Sequence, residues 1–330
     1  MALDVKQSIP FFGRGGKLTP EHIAGMLGLP SIGKIWYVDP GKTSGVSGGG
    51  TSREDAFLTV AEGYAAATAD QDDVVLIVPS SSTGRTSETA AITWAKRRTH
   101  LIGGTSPLQF SPRAGMSFGS AVTSPCLTIS TRSCIFKNIT IAQFNDVNIL
   151  VDLTGSYNYF EGVHFQGIGN ATTGDDTAAR IVRFNGSDEN TFVGCTFGLD
   201  TVTRTGANYT LEFAGSKNNS RNVFQGCVFT MFADADAPRH ILVGSSGADR
   251  FELFENCIFT DNSDTTSASQ QTDAFNTDSA GNQGGVLIVK DCMLVGSTGW
   301  ADTVGGVKIL GHSTNATIGT NYSTGINPSA

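Results

Sequence analysis

A six-residue phrase returns six times between residues 136 and 294, and few folds accommodate it. It reads Phe, any residue, a small or turn-prone residue, Cys or an aliphatic, any residue, then an apolar residue. The copies are Phe136-Lys137-Asn138-Ile139-Thr140-Ile141, Phe160-Glu161-Gly162-Val163-His164-Phe165, Phe192-Val193-Gly194-Cys195-Thr196-Phe197, Phe224-Gln225-Gly226-Cys227-Val228-Phe229, Phe254-Glu255-Asn256-Cys257-Ile258-Phe259 and a weaker Val289-Lys290-Asp291-Cys292-Met293-Leu294. Their starts lie 24, 32, 32, 30 and 35 residues apart. Most copies follow a second apolar run closed by a turn, such as Ile181-Val182-Arg183-Phe184-Asn185-Gly186 or Ile241-Leu242-Val243-Gly244. Each unit is therefore strand, turn, strand and a polar loop of variable length.

Such a unit cannot bury its apolar face alone, but a stack of units buries a continuous core. At the ordinary strand spacing of about 4.8 Å, equivalent residues form ladders. Phe136, Phe160, Phe192, Phe224 and Phe254 make one, and Cys195, Cys227, Cys257 and Cys292 another. A cysteine ladder reads either as a metal or redox site or as small hydrophobes in a narrow interior. Ile139 and Val163 hold the same position in other copies, which favours packing. No C-x-x-C pair occurs, and neither a metal nor a cofactor is expected.

Composition agrees with strands and turns. Of 330 residues 40 are Gly, 39% are hydrophobic and only 16% are charged. The net charge of −8 argues against a nucleic-acid partner, which needs a basic footprint. No run of 18 apolar residues is present, so no membrane insertion is expected. Residues 1–16 lack the charged start and apolar core of a signal peptide, which points to synthesis in a cytoplasm.

Ahead of the repeats, residues 1–35 read as an extended N-terminal arm, with Ile9, Phe11, Phe12, Ile23, Met26, Leu27 and Leu29 as its apolar attachment residues. Thr19 and Pro20 predict the start of one short helix there. A strand at 35–39 leads through a Gly/Ser loop at 41–50 to a second helix predicted over 52–68, capped by Ser52. Strands follow at 74–78, 91–94 and 100–104. The division is an arm over 1–35, a repeat body over 36–312 and a tail over 313–330.

The repeat, with the Trp36-Tyr37-Val38-Asp39 strand, the Gly/Ser loop and the helix after it, resembles the right-handed parallel β-helix, or pectate-lyase-like, superfamily. The likeness covers about residues 35–312. It implies an all-β solenoid of about seven to nine turns with an N-terminal capping α-helix. Within that superfamily the chain most resembles tailed-phage virion proteins. That likeness implies a non-enzymatic homotrimer in the virion, a head decoration or fibre, whose arm binds capsid or tail proteins.

Enzymes on such a fold use clustered acids against polysaccharides. Gly174-Asp175-Asp176 resembles one motif of polygalacturonase-like hydrolases, but the companion motifs are absent or out of order. Asp175 and Asp176, with Asp234, Asp236 and Arg239 in a later loop, are the catalytic candidates of an alternative reading as a tailspike-like depolymerase of host-surface polysaccharide. Solvated loop acids are the plainer account. A carbohydrate-binding adhesin would need aligned exposed aromatics, and only three tryptophans are available.

Overall fold

A computed structural model describes residues 19–42, 45–80, 84–262, 271–277, 284–301, 306–311 and 314–316. Ile9, Phe11, Phe12 and nearly all of the 313–330 tail lie outside the described residues.

Among the described residues the strands form three sheets, in each of which a strand pairs in parallel with the equivalent strand of the next coil, and the short Thr203–Arg204 strand pairs with Phe232 and Ala233 beside them. Sheet 1 runs from Ile35–Val38 through Ile135–Lys137, Thr191–Val193 and Ala248–Glu255 to Val307–Leu310. Sheet 2 runs from Arg85–Glu88 through His164–Gln166 and Ile258–Asp261 to Thr314–Ala316. Sheet 3 runs from Ile92–Trp94 through Arg180–Phe184 to Ser297–Ala301 and holds eight strands, so eight coils pass through it. The fold is a right-handed parallel β-helix.

The repeated phrase is the corner from sheet 1 into sheet 2. Its third residue is Asn138, Gly162, Gly194, Gly226, Asn256 or Asp291, all in the left-handed region with φ between 53° and 61°. Only Gly, Asn and Asp enter that region cheaply, and one such residue bends the chain within a single step. The following Ile139, Val163 or Cys side chain then turns inward and is buried.

The Phe column stacks ring on ring, at centroid separations of 4.9, 4.5, 4.8 and 4.6 Å from Phe136 to Phe254. A second column, Phe165, Phe197, Phe229 and Phe259, runs beside it at 4.9, 4.9 and 4.5 Å. The cysteines are free and buried. The thiols of Cys227, Cys257 and Cys292 donate to the carbonyls of Phe192, Phe224 and Phe254 one coil back. Burial pushes the Cys227 and Cys257 thiols up, which keeps them protonated and unreactive.

A third ladder escaped the sequence reading. Asn158, Asn190 and Asn222 point inward at the start of sheet 1 strands and are buried. Each accepts, through its side-chain oxygen, the backbone N–H one coil back, at 3.0 Å from Cys134, Asn158 and Asn190. The amide of each donates to a carbonyl there, of Thr131, Gly155 and Ser187. The ladder ends at Glu252, whose carboxylate accepts from the Asn222 N–H at 3.0 Å.

The second helix is shorter than the sequence suggests. It spans Val60–Ala66 and is capped by Thr59, with Glu62 reaching back to the Thr59 N–H at 3.0 Å. Ser52 accepts only from the Asp55 N–H, because Asp55 is held by Gly49 and Thr51 in a turn. This helix closes the top of the tube. Its Tyr64 ring stacks on Trp94 at 4.2 Å, and Trp94 meets Phe136 at 5.4 Å, so the aromatic column begins in the cap. Lys96 donates to the carbonyls of Tyr64, Ala65 and Ala67, the usual role of a cation at a helix C-terminus.

Candidate functional site

The first helix forms over Pro20–Leu27, between Thr19 and the left-handed Gly28. It lies on the outward surface of sheet 1. Ile23 is buried there with Val74, Leu76, Val78 and Ile102, and Leu27 packs against the same group. Met26 is half exposed and Leu29 only partly buried, so the apolar side expected of this helix is narrower than those four residues.

Beside the helix, three hollows meet at Lys137. One of about 290 Å³ is lined by Ile23, Met26, Ile102 and Pro107. One of about 300 Å³ is lined by Leu27, Tyr159 and Glu161, and one of about 340 Å³ by Leu108, Gly162 and Val193. The Lys137 ammonium donates to Glu161 at 2.7 Å, and the Tyr159 hydroxyl reaches the same carboxylate at 3.3 Å.

A strap over residues 105–112 borders the hollows and crosses several coils. Thr196 donates to the Gln109 carbonyl at 2.7 Å, and the Gln109 amide donates to the Gly226 carbonyl at 3.3 Å. The Ser111 N–H donates to Nδ1 of His164 at 2.9 Å, and Nε2 of that ring lies 2.9 Å from the Gly198 carbonyl. The Nε2–H tautomer satisfies both contacts. Burial pushes the imidazole down to about 4, so it stays neutral near pH 7.

The acidic loops stack at the corner between sheets 2 and 3. The Gly174 carbonyl accepts from the N–H groups of Thr205 and Gly206, and the Asp234 N–H donates to the Arg204 carbonyl at 2.9 Å. Asp175 accepts from the Thr205 hydroxyl and Asp176 from the Ala178 N–H. Asp175, Asp234 and Asp236 are exposed. Arg239 donates to the backbone carbonyls of Asp236 and Pro238 rather than to an acid. Among the described residues, no group of three or more His, Cys, Asp or Glu side chains is placed to hold a metal ion.

The same corner holds a residue that sequence reasoning missed. Arg204 is fully buried and bonded to Asn208 at 2.6 Å and Thr210 at 3.0 Å, and burial pushes its guanidinium down to about 9. Those partners lie four and six residues ahead in a polar stretch with no period to mark them.

No protein-family model matches the chain. No curated protein matches it either. Solved structures do. A pectate lyase is 16% identical with a TM-score of 0.56, over 91% of this chain and 73% of that one. A pectin methylesterase mutant bound to a hexasaccharide is 13% identical with a TM-score of 0.53, over 89% and 92%. A chain of Geobacillus virus E2, ORF18, aligns more loosely, at 14% identity and a TM-score of 0.49, over 91% of this chain and 64% of that one. At these identities the shared property is the right-handed parallel β-helix itself.

Proposed function

We propose that this chain is a non-enzymatic structural protein of a phage virion, a homotrimeric β-helical decoration or fibre. In this reading the N-terminal arm over 1–35, with Ile9, Phe11 and Phe12, binds capsid or tail proteins after synthesis in the host cytoplasm. The observation that supports it is where the outward charges go. They pair between neighbouring coils, as Lys137 with Glu161, Asp152 with Arg183, Arg180 with Glu212 and Glu255 with Lys290. Charges paired this way fasten coil to coil and are engaged with one another rather than set against a bound glycan.

A polysaccharide-cutting enzyme is the second reading. The hollows around Lys137, Tyr159 and Glu161 favour it, because they set a cation, a phenol and a carboxylate on one exposed surface. One experiment separates the two. The solution mass of the full chain and of a chain lacking residues 1–18 is measured, and both are screened for new reducing ends or unsaturated products on a polysaccharide panel. A trimer in both forms with no turnover supports the structural reading. A monomer, or turnover that Glu161→Gln abolishes, overturns it.

A further inference from the structure

The corner between sheets 2 and 3 changes character down the tube. Ile181, Thr210, His240 and Ala274 follow one another there in register, one per coil. Ile181 belongs to the apolar core. One coil on the row turns polar, although Thr210 and His240 are both fully buried.

Arg204 reaches this row from the segment joining Thr196–Phe197 to Tyr209–Phe213 and is 2% exposed. Its Nη1 donates to the Thr210 hydroxyl at 3.0 Å and its Nη2 to the Arg239 carbonyl at 3.4 Å. Thr210 is the register partner of His240, and Arg239 precedes it, so the guanidinium is pinned alongside the imidazole. With Nε on the Asn208 side chain, every hydrogen-bond partner of Arg204 is uncharged. His240 has no partner at either ring nitrogen, and the buried Nε of Arg239 has none. The imidazole stands edge-on to Phe259 at 5.6 Å, and the small Ala274 lies one coil below it.

We propose that this corner encloses a chloride-sized anion, held by the guanidinium of Arg204 and an imidazole N–H of His240. A guanidinium carries five N–H groups, and the three bonds above leave two of them for the ion. Charge favours an anion over water. Asp261 attracts Arg204, but its two oxygens accept from the Ala233 and Gln271 N–H groups at 2.9 and 3.4 Å. Burial lowers Arg204 in spite of that attraction, so Asp261 does not compensate it. Arg239 adds a second cation, bonded to the carbonyls of Asp236 and Pro238. Asp234 and Asp236 in the same loop are exposed, where water screens them. A buried cation without a counter-charge and a buried imidazole without a partner are both costly, and one small anion relieves both. Since Arg204 and His240 are at most 2% exposed, the ligand is a free ion enclosed by the fold, not a charged group on a larger molecule.

For the test, the full chain is purified throughout in sodium chloride or in sodium gluconate of equal ionic strength. Its melting is compared with that of Arg204→Met and of Arg250→Met, a control at an exposed arginine. The expected result is a wild-type melting point about 3 °C or more higher in chloride, with the same gain in Arg250→Met and none in Arg204→Met. Equal melting of the wild type in the two salts, or a chloride gain that Arg204→Met retains, overturns the proposal. Where Arg204→Met does not fold, wild-type crystals grown in sodium bromide decide. Bromine anomalous scattering beside Arg204 and His240 supports the site, and water alone at that position overturns it.

Discussion

Phe192 lies 4.8 Å from Phe224 with the two rings only 8° from parallel, one coil and 32 residues apart. Phe192 also meets Phe160 at 4.5 Å and the edge of Phe184 at 5.8 Å. Removing it opens a void in a close-packed tube whose neighbours are fixed by backbone ladders and cannot collapse inward. Phe192→Ala is expected to cost about 3–5 kcal/mol, and Phe192→Leu distinctly less. Urea unfolding of both variants checks this. A cost for Phe192→Ala below that of Phe192→Leu would contradict the stacked column.

Cys227 occupies the position that Ile139 and Val163 hold in earlier coils, and its thiol makes only weak bonds, to the Phe192 and Gln225 carbonyls at 3.5 and 3.6 Å. Cys227→Val nearly conserves volume and is expected to change stability by less than about 1.5 kcal/mol. Unfolding with and without a chelator is the measurement. Sensitivity of the wild type to the chelator, lost in the variant, would return the ladder to a metal-binding role.

Glu252 takes the place of an asparagine at the end of a buried amide ladder. Its Oε1 finds no hydrogen-bond donor, and burial, aided by the charge of Asp188, pushes its carboxyl well above the ordinary value of 4.5. The folded state therefore keeps the proton over a range where the unfolded chain has released it. This group's contribution is fully present below pH 4.5 and is lost as pH rises through the folded value. Glu252→Gln removes that loss and supplies an amide like those above it. The variant is expected to gain stability over the wild type at pH 8 and to show little gain at pH 4, as chemical denaturation at the two pH values would reveal.

His164 works in the opposite direction. Its value falls from 6.5 to about 4 because burial disfavours the cation, so the unfolded chain binds the proton first as pH drops. Stability is lost between pH 6.5 and 4, by about 3 kcal/mol from this group alone. Protonated Nδ1 can no longer accept from the Ser111 N–H, so the loss begins at the strap. Hydrogen exchange of residues 109–112 should rise at pH 4 ahead of exchange in sheet 1. Uniform protection of strap and core at that pH would show that the ring does not hold the strap.

The corner phrase was legible because three demands coincide in six residues: a stacking ring, a left-handed turn and a small buried side chain. Each restricts the residue types enough to survive changes in loop length. The asparagine ladder places one residue per coil in a chain full of Ser, Asn and Gly, and its partners are backbone groups that carry no sequence signal. The strap was invisible for another reason. Pro107 to Pro112 touches His164, Thr196 and Gly226, whose coils come later in the chain. Ser52 misled because a capping residue marks any turn in which its oxygen meets an N–H. The helix instead began at Thr59, where Glu62 answers from three residues on and the Glu88 carboxylate accepts from Val60 and Ala61 at 2.9 and 3.2 Å.

Truncation can show what the first helix contributes to the fold. Ile23 is 1% exposed over Val74, Leu76 and Ile102, so the first helix covers an apolar part of sheet 1. Removing residues 1–18 leaves that cover in place. Removing residues 1–33 uncovers the sheet and forfeits burial worth about 2–3 kcal/mol for Ile23 alone. The shorter deletion is expected to melt like the full chain, and the longer one to melt several degrees lower and to aggregate through the uncovered surface. Ile23→Asp in the full chain should reproduce the lower melting point without any deletion. Equal melting of all four proteins would mean that the helix contributes nothing to the β-helix and belongs, functionally, with the residues ahead of it.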